Sequence, residues 1–171
     1  LPLSRGLGDV YKRQEQHPQN IELMLLQTEI MLFDGSYNDA QVLLEQIEKL
    51  SPENEEIFLQ RANISSKQKD HSKAIEFLLK ALDITDEPIE VWNLIGMEYL
   101  FLEDYIKAKD FFLRCVRENS MDYQSLYNLL YCHDQLEENI EAINTLNKIL
   151  ETNPYSCLLY TSPSPRDSGK S

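Results

Sequence analysis

The side chains that most often carry catalysis are few in this chain of 171 residues. Its three histidines are His17, His71 and His133. His133 is followed by Asp134, which would suit a proton relay, but neighbouring residues in a helix point about 100° apart and cannot share a proton. No histidine has a nucleophile at a useful spacing. The histidines therefore predict structural roles, and we expect no enzymatic activity.

The cysteines and glycines supply no cofactor motif. Cys115, Cys132 and Cys157 form no CxxC pair, and their odd number argues against a closed disulfide framework. We expect Cys115 and Cys132 to be small buried apolar residues. The segment SGKS (168–171) is similar to the end of a phosphate-binding loop, but Ser164 stands where that loop needs its first glycine. GLGDVY (6–11) lacks a glycine of a dinucleotide-binding loop, so we expect neither a cofactor nor a metal.

The residues that dominate the chain repeat every 34 positions. The columns in register are Ala40, Ala74, Ala108 and Ala142; Met24, Phe58, Trp92 and Leu126; Leu44, Leu78, Phe112 and Leu146; and Pro18, Pro52 and Pro154. No insertion or deletion breaks this register over residues 21–154. A fixed period of this length indicates a repeat architecture.

One repeat, residues 89–122, shows what each unit contains. Its first half places Trp92, Gly96 and Tyr99 on one face of a helix, and its second half places Ala108 and Phe112 on one face of another. Only LED (102–104) separates the halves, so the two helices must pack antiparallel. Small residues allow the helix axes to approach, and Leu at position 108 would overpack at a cost of about 1–3 kcal/mol.

The whole period predicts an all-α chain. Gly and Pro number only 5 and 7, and helix-favouring residues dominate. The expected helices lie near residues 20–33, 37–50, 55–68, 71–84, 89–101, 105–118, 123–135 and 139–152.

This pattern resembles the tetratricopeptide repeat signature in its spacing and in Trp92, Gly96, Tyr99, Ala108 and Phe112. The resemblance implies an α-α superhelix, a solenoid of four stacked antiparallel hairpins. Its repeats would be 21–54, 55–88, 89–122 and 123–156. The sequence departs from the family where Gln27 and Arg61 replace a large apolar residue and where His133 replaces an aromatic one.

The two ends of the chain lack the repeat pattern. Residues 1–14 and 157–171 resemble translated library-adapter sequence, so we expect both flanks to be non-native and the array to occupy residues 15–156. The formal net charge is −13, and because the flanks hold five basic and two acidic residues, the part between them carries −16. Such a surface repels phosphate backbones, which makes nucleic acid a poor partner. No apolar run approaches the roughly 18–20 residues of a membrane span.

The resemblance also implies a concave groove that is lined by the first helix of each repeat and holds a peptide or helix segment. Its residues here would be Leu25, Glu29, Leu59, Asn63, Asn93, Met97, Leu100, Tyr127, Tyr131 and Asp134. Asn63, Asn93 and Asn128 have both a donor and an acceptor for a ligand backbone. The acidic residues, which include Glu56 and Glu90, favour a basic segment. No basic pair stands at the groove, which argues against a site for carboxylate termini.

The leading hypothesis is therefore a scaffold for protein–protein interaction. An alternative is a sensing or substrate-docking arm of a larger enzyme or signalling protein, and a third is a self-associating array. The partner, the oligomeric state and any further domains stay open. We expect a cytoplasmic location, but it also stays open, because we expect the true N-terminus, and with it any signal peptide, to be missing.

Overall fold

The computed structural model describes residues 20–152, which form eight α-helices and no β-strand. The helices are α1 (Ile21–Phe33), α2 (Tyr37–Leu50), α3 (Glu55–Lys67), α4 (His71–Leu82), α5 (Pro88–Phe101), α6 (Tyr105–Glu118), α7 (Tyr123–Gln135) and α8 (Asn139–Thr152). Every boundary lies within two residues of its expected position, so the prediction of eight helices is confirmed. The flanks expected to be non-native, 1–14 and 157–171, lie outside the described residues.

The contacts divide the chain into two compact units, one ending at Glu103 and the other beginning at Asp104. In the first unit α1 packs against α2, α3 against α4, and α4 against α5, while α3 also touches α1 and α2. In the second unit α7 packs against both α6 and α8. None of the helices between residues 20 and 152 is long and apolar enough to cross a membrane.

Aspartates begin three of the helices. The side chains of Asp70, Asp104 and Asp122 each accept a hydrogen bond from the backbone N–H three residues later, at 3.1–3.3 Å. Such a bond satisfies a backbone donor that the first turn of a helix leaves without a partner. The polar residues between the apolar stretches therefore fix where α4, α6 and α7 start.

The turn inside each pair of helices repeats with the same period as the sequence. Gly35, Lys69, Glu103 and Glu137, which are 34 residues apart, all have a positive φ, of 79°, 63°, 57° and 57°. A residue in this conformation ends a helix and lets the chain reverse. Three of the four are not glycine, so three turns carry the conformational strain that a side chain adds at positive φ.

Three of the four repeated alanines lie in the core, and the fourth, Ala142, is half-buried. Ala40, Ala74 and Ala108 are fully buried, and Ala40 shares a cluster with Met24 of α1 and Leu44 of α2. This agrees with the expectation that a small residue is kept where helices approach closely. Trp92, which the sequence places on the same helix face as Gly96 and Tyr99, is half-buried.

Candidate partner-binding site

The expected partner-binding residues of the first unit lie on α1, α3 and α5. Five of them are half-buried and two are exposed. The half-buried residues are Leu25, Leu59, Asn93, Met97 and Leu100, and the exposed residues are Glu29 and Asn63. Each apolar side chain is therefore partly accessible to solvent, which is what contact with a second polypeptide requires.

A buried polar pair holds α1 against α3 beneath these residues. Thr28 and Gln60 are both buried and hydrogen-bond to each other through their side chains. The Gln60 amide also donates to the Leu25 carbonyl at 3.3 Å and to Glu56 Oε1 at 3.2 Å. This network spans two hairpins and fixes the spacing of Leu25 and Leu59. The 34-residue period did not predict this network, because neither Thr28 nor Gln60 recurs at the equivalent position of another repeat.

Carboxylates from three first helices influence one another in this unit. Burial raises the pKa of Glu56 on α3, while the hydrogen bond from Gln60 opposes that rise. The nearby charges of Glu29 on α1, Glu55 on α3 and Glu90 on α5 raise the pKa further. Like charges act in this way only when they are close, so α1, α3 and α5 create a region of negative potential.

The second unit carries the expected tyrosines on α7. Tyr127 and Tyr131 are each 48% exposed, and Asp134 is exposed. The rings of Tyr131 and Tyr105 meet edge to face, with centroids 6.1 Å apart. Because residues 127, 131 and 134 share one side of a helix, α7 presents two aromatic rings beside a carboxylate. The expected amide Asn128 accepts a hydrogen bond from Gln124 at 3.4 Å.

The two histidines in the described residues are paired with glutamates. His71 Nδ1 lies 2.7 Å from Glu98 Oε2, and His133 Nδ1 lies 2.6 Å from Glu138 Oε2. Lys109 Nζ binds the other oxygen of Glu138 at 2.5 Å, and this contact, followed by that of His133, lowers the pKa of Glu138. His133 is buried, as its core position predicted. The first pair joins α4 to α5, and the second joins α7 to the residue before α8, which supports structural roles.

The two described cysteines of the second unit are buried as well. Cys115 and Cys132 are fully buried thiols, which confirms the expectation that they pack as small apolar residues. Burial raises the pKa of Cys115, and it raises that of Cys132 to about 11. Thiols in this state are poor nucleophiles. Within residues 20–152 no group of three or more His, Cys, Asp or Glu side chains could hold a metal ion.

One departure from the family pattern has a direct explanation. Arg61 stands where a large apolar residue was expected, and its guanidinium makes two hydrogen bonds to the Glu48 carboxylate, at 3.1 and 2.7 Å. It also lies over the Phe77 ring at 5.9 Å. The ion pair replaces an apolar contact between α2 and α3. The other departure, Gln27, is buried, and its Oε1 has no hydrogen-bond partner.

Models of the tetratricopeptide repeat match this chain over residues 31–97, 89–120 and 123–156. Together these matches cover more than half of the sequence. The chain consists of repeated pairs of α-helices and matches these models over most of its length. It therefore belongs to the tetratricopeptide repeat family. Tetratricopeptide repeats are typically non-catalytic scaffolds, so the match supports a protein-interaction role.

Two relatives are much longer than this chain. The cell division cycle protein 27 homolog of Caenorhabditis elegans is 24% identical over 148 residues, which are 86% of this chain and 18% of that protein. Anaphase-promoting complex subunit 3 of Schizosaccharomyces pombe (strain 972 / ATCC 24843) is 28% identical over 100 residues, which are 58% of this chain and 15% of that protein. The chain therefore spans less than a fifth of the length of either relative.

A solved structure shows the same fold. YrrB, described as a TPR protein with an unusual peptide-binding site, superposes with a TM-score of 0.69 at 16% identity, over 85% of this chain and 75% of that chain. At this identity the likeness concerns the fold. The expected fold class, an all-α tetratricopeptide-repeat solenoid, is confirmed.

Proposed function

We propose that this chain is a scaffold that binds a positively charged peptide or helical segment on its first helices. The observation that carries the proposal is the closeness of Glu29, Glu56 and Glu90 on α1, α3 and α5: burial raises the pKa of Glu56, and the charges of Glu29 and Glu90 raise it further. Carboxylates that repel one another at neutral pH would gain from a bound cation. A Lys or Arg side chain of the partner would relieve this repulsion, because opposite charge stabilises the ionised form.

Apolar side chains beside the carboxylates would supply the rest of the contact. Leu25, Leu59 and Met97 are half-buried, so a partner would cover surface that water now reaches. Covering apolar surface contributes roughly 25 cal/mol per Å² before the costs of association are subtracted. The proposed ligand therefore alternates basic residues with aliphatic anchors. Asn63 and Asn93 would pair with its backbone.

The second unit would present a different contact to a partner. Tyr127 and Tyr131 are exposed, and aromatic rings provide a large contact area with little side-chain entropy to lose. Asp134 stands beside them and would attract basic residues of a partner. The strong negative charge of the chain supports a protein partner over nucleic acid.

The test of the proposal uses a random 12-residue peptide library that is selected on the immobilised full chain. We expect selected peptides to be enriched in Lys and Arg. Replacing Glu56 and Glu90 by Gln should remove that enrichment, because the negative potential is lost. The matched control replaces Glu45 and Glu76, which are exposed on the second helices α2 and α4, by Gln. Equal enrichment on both variants would refute the proposed face.

The tyrosines need a separate variant. Tyr127→Ala with Tyr131→Ala should weaken the selected peptides about tenfold or more if α7 takes part in binding. The melting temperature is measured first, because both rings are also partly buried. An unchanged affinity in a variant of normal stability would remove α7 from the proposed binding surface.

A second candidate is a docking arm of a larger enzyme or signalling protein. It is favoured by the relatives, of which the chain spans only 18% and 15%. Extending the coding sequence in both directions would test it. A neighbouring catalytic domain would favour the docking arm, whereas further repeats alone would favour the scaffold.

A further inference from the structure

Two tyrosines and an aspartate form a row along α7. Tyr127 and Tyr131 are each 48% exposed, and Asp134 is exposed as well. With a rise of about 1.5 Å per residue, the tyrosines start about 6 Å apart along the helix axis, and Asp134 follows about 4.5 Å beyond Tyr131. The Tyr131 ring meets Tyr105 edge to face, and Asp134 Oδ2 accepts a long hydrogen bond from Gln135 Nε2 at 3.4 Å. We call Tyr127, Tyr131 and Asp134 the α7 row.

The accessibility of the α7 row does not depend on where the described residues end. Leu59, Asn63 and Ser66 occupy the same three places in α3, which is followed by α4 and α5. Asn63 is exposed, and Leu59 and Ser66 are half-buried. This side of a first helix therefore stays at least partly open to solvent where further helices follow it.

The chain itself shows what an aromatic ring beside a carboxylate can hold. On α6 the guanidinium carbon of Arg114 lies 4.9 Å from the centroid of the Phe111 ring. Arg114 Nη2 also donates a hydrogen bond to Asp110 Oδ2 at 2.8 Å. One arginine thus contacts a ring and a carboxylate that the same helix presents, and the α7 row offers the same combination.

A second arginine makes the same two kinds of contact. Arg61 lies over the Phe77 ring at 5.9 Å and binds the Glu48 carboxylate through two hydrogen bonds. Lys80 also lies over the Phe77 ring, at 5.4 Å, so a ring alone accepts either cation. A guanidinium is planar, so it can stack on a ring while the N–H groups at its edge bind a carboxylate, whereas an ammonium is a compact and strongly hydrated charge. A ring together with a carboxylate therefore favours arginine over lysine.

We propose that the α7 row binds one arginine side chain of the partner polypeptide and prefers arginine to lysine. The guanidinium stacks on Tyr131 and pairs with Asp134, while Tyr127 contacts the aliphatic stem. This inference rests on the proposed function, because it identifies one residue of the basic segment. Each contact is weak at an exposed site, so the expected preference is about three- to tenfold.

The probes are two peptides with blocked ends, Gly-Leu-Arg-Gly-Leu-Arg-Gly and a twin with Lys in place of both Arg residues. Each is titrated into the full chain with carbon-13-labelled tyrosine rings, whose NMR signals are assigned with single Tyr→Phe variants. We expect the signals of Tyr127 and Tyr131 to shift with both peptides, at an affinity about three- to tenfold higher for the Arg peptide. Equal affinities, or no shift of these two signals with the Arg peptide, would overturn the proposal.

The decisive comparison is Asp134→Asn against Glu118→Gln. Both substitutions remove one exposed carboxylate from the second unit, but Glu118 lies in the last turn of α6. The readout is the ratio of the two peptide affinities, because a general loss of negative charge weakens both peptides alike. Asp134→Asn should reduce the ratio to less than about twofold, and Glu118→Gln should leave it unchanged. Equal changes of the ratio in the two variants would contradict the proposal.

The ring needs a variant of its own. Tyr131→Leu keeps an apolar side chain against Tyr105 but removes the surface on which the guanidinium stacks, so the preference for the Arg peptide should fall here too. The melting temperature is measured first, because Tyr131 is partly buried. If the variant is unstable, the comparison of Asp134→Asn with Glu118→Gln decides alone. A stable variant that keeps the full preference would rule out stacking and overturn the proposal.

These results are separable from the test of the proposed function. If the selected library peptides are basic but the Arg and Lys peptides bind α7 equally, the proposed function holds and the arginine site does not. If α7 prefers the Arg peptide but Glu56→Gln with Glu90→Gln leaves the library enrichment unchanged, the arginine site holds. The proposed face on α1, α3 and α5 then fails.

Discussion

His71 Nδ1 and Glu98 Oε2 lie 2.7 Å apart, which ties the start of α4 to the last turn of α5. The Glu98 carboxylate is buried, and the His71 ring also stacks on Phe101 with centroids 4.9 Å apart. The corresponding positions one repeat earlier are Tyr37 and Ile64, which belong to the apolar core. One repeat therefore replaces an aromatic and aliphatic pair by two polar residues that satisfy each other.

This relationship predicts compensation between the two positions. His71→Tyr alone should destabilise the chain by about 1–3 kcal/mol, because it leaves the buried carboxylate without its partner. His71→Tyr combined with Glu98→Ile, the residues of the preceding repeat, should recover most of that loss. Urea unfolding of both variants provides the measurement. Additive losses in the double variant would show that the two side chains do not interact energetically.

At the positive-φ turns, replacing Gly and introducing Gly should change stability by similar amounts in opposite directions. Gly35→Ala should cost about 1 kcal/mol, because a Cβ disfavours φ of 79°. The new methyl group would meet no atom within 4 Å, so the cost would be conformational rather than steric. Glu137→Gly should stabilise its turn by a comparable amount, since φ there is 57°. Thermal unfolding would test both, and a stabilised Gly35→Ala variant would contradict the assignment.

The ion pair between Arg61 and Glu48 predicts a pH-dependent coupling. The hydrogen bond from Arg61 lowers the pKa of Glu48 below its ordinary value. The stabilisation is therefore present above the ordinary glutamate pKa and is lost as pH falls through the lowered value. Because Glu48 is more than a third exposed, solvent screens the pair, and we expect a coupling of about 0.5–1 kcal/mol at pH 7. A double-mutant cycle with Arg61→Met and Glu48→Gln at pH 7 and pH 3 measures it. A coupling that is unchanged at pH 3 would rule out an electrostatic origin.

Glu56 predicts the opposite pH dependence. Its raised pKa means that the folded state binds its proton more readily than the unfolded state does. Its contribution to stability therefore increases as pH falls through the raised value. Glu56→Gln should stabilise the chain at pH 7 by a few tenths of a kcal/mol, because it removes the cost of burying a charge and, to a smaller extent, the repulsion from nearby carboxylates. The gain should shrink toward pH 4 in parallel melting curves. A loss of stability at pH 7 would mean that the hydrogen bond from Gln60 outweighs the repulsion.

The fold could be predicted from the sequence because the 34-residue period constrains each helix several times. The alanine column and the polar residues between helices fix where each helix pair begins and turns. The burial of Trp92 was less predictable, because its repeat column indicates the size of the residue but not how much of the ring neighbouring helices cover. Its counterpart Met24 is buried, whereas Trp92 is half-buried.

For the candidate site, the sequence predicted only which helices carry its residues. The period places Leu25, Leu59 and Tyr127 on first helices, but it does not give side-chain rotamers or local potential. The link between Thr28 and Gln60 depends on two rotamers, and the raised pKa of Glu56 depends on burial by adjacent helices. A signal for the His71–Glu98 pair was present, because both residues depart from their own repeat columns. Looking for pairs of residues that both differ from their repeat columns within one repeat would have found this pair.

The positions of the cysteines allow local opening of the second unit to be measured by alkylation. Cys115 and Cys132 lie in α6 and α7, and the described part of the first unit contains no cysteine. With the third cysteine, Cys157, replaced by serine, alkylation would occur only when α6 and α7 separate. The labelling rate would then measure local opening of this unit without an introduced probe. The native cysteines thus report local opening of the second unit. A partner bound to α7 that opposes this opening would lower the alkylation rate.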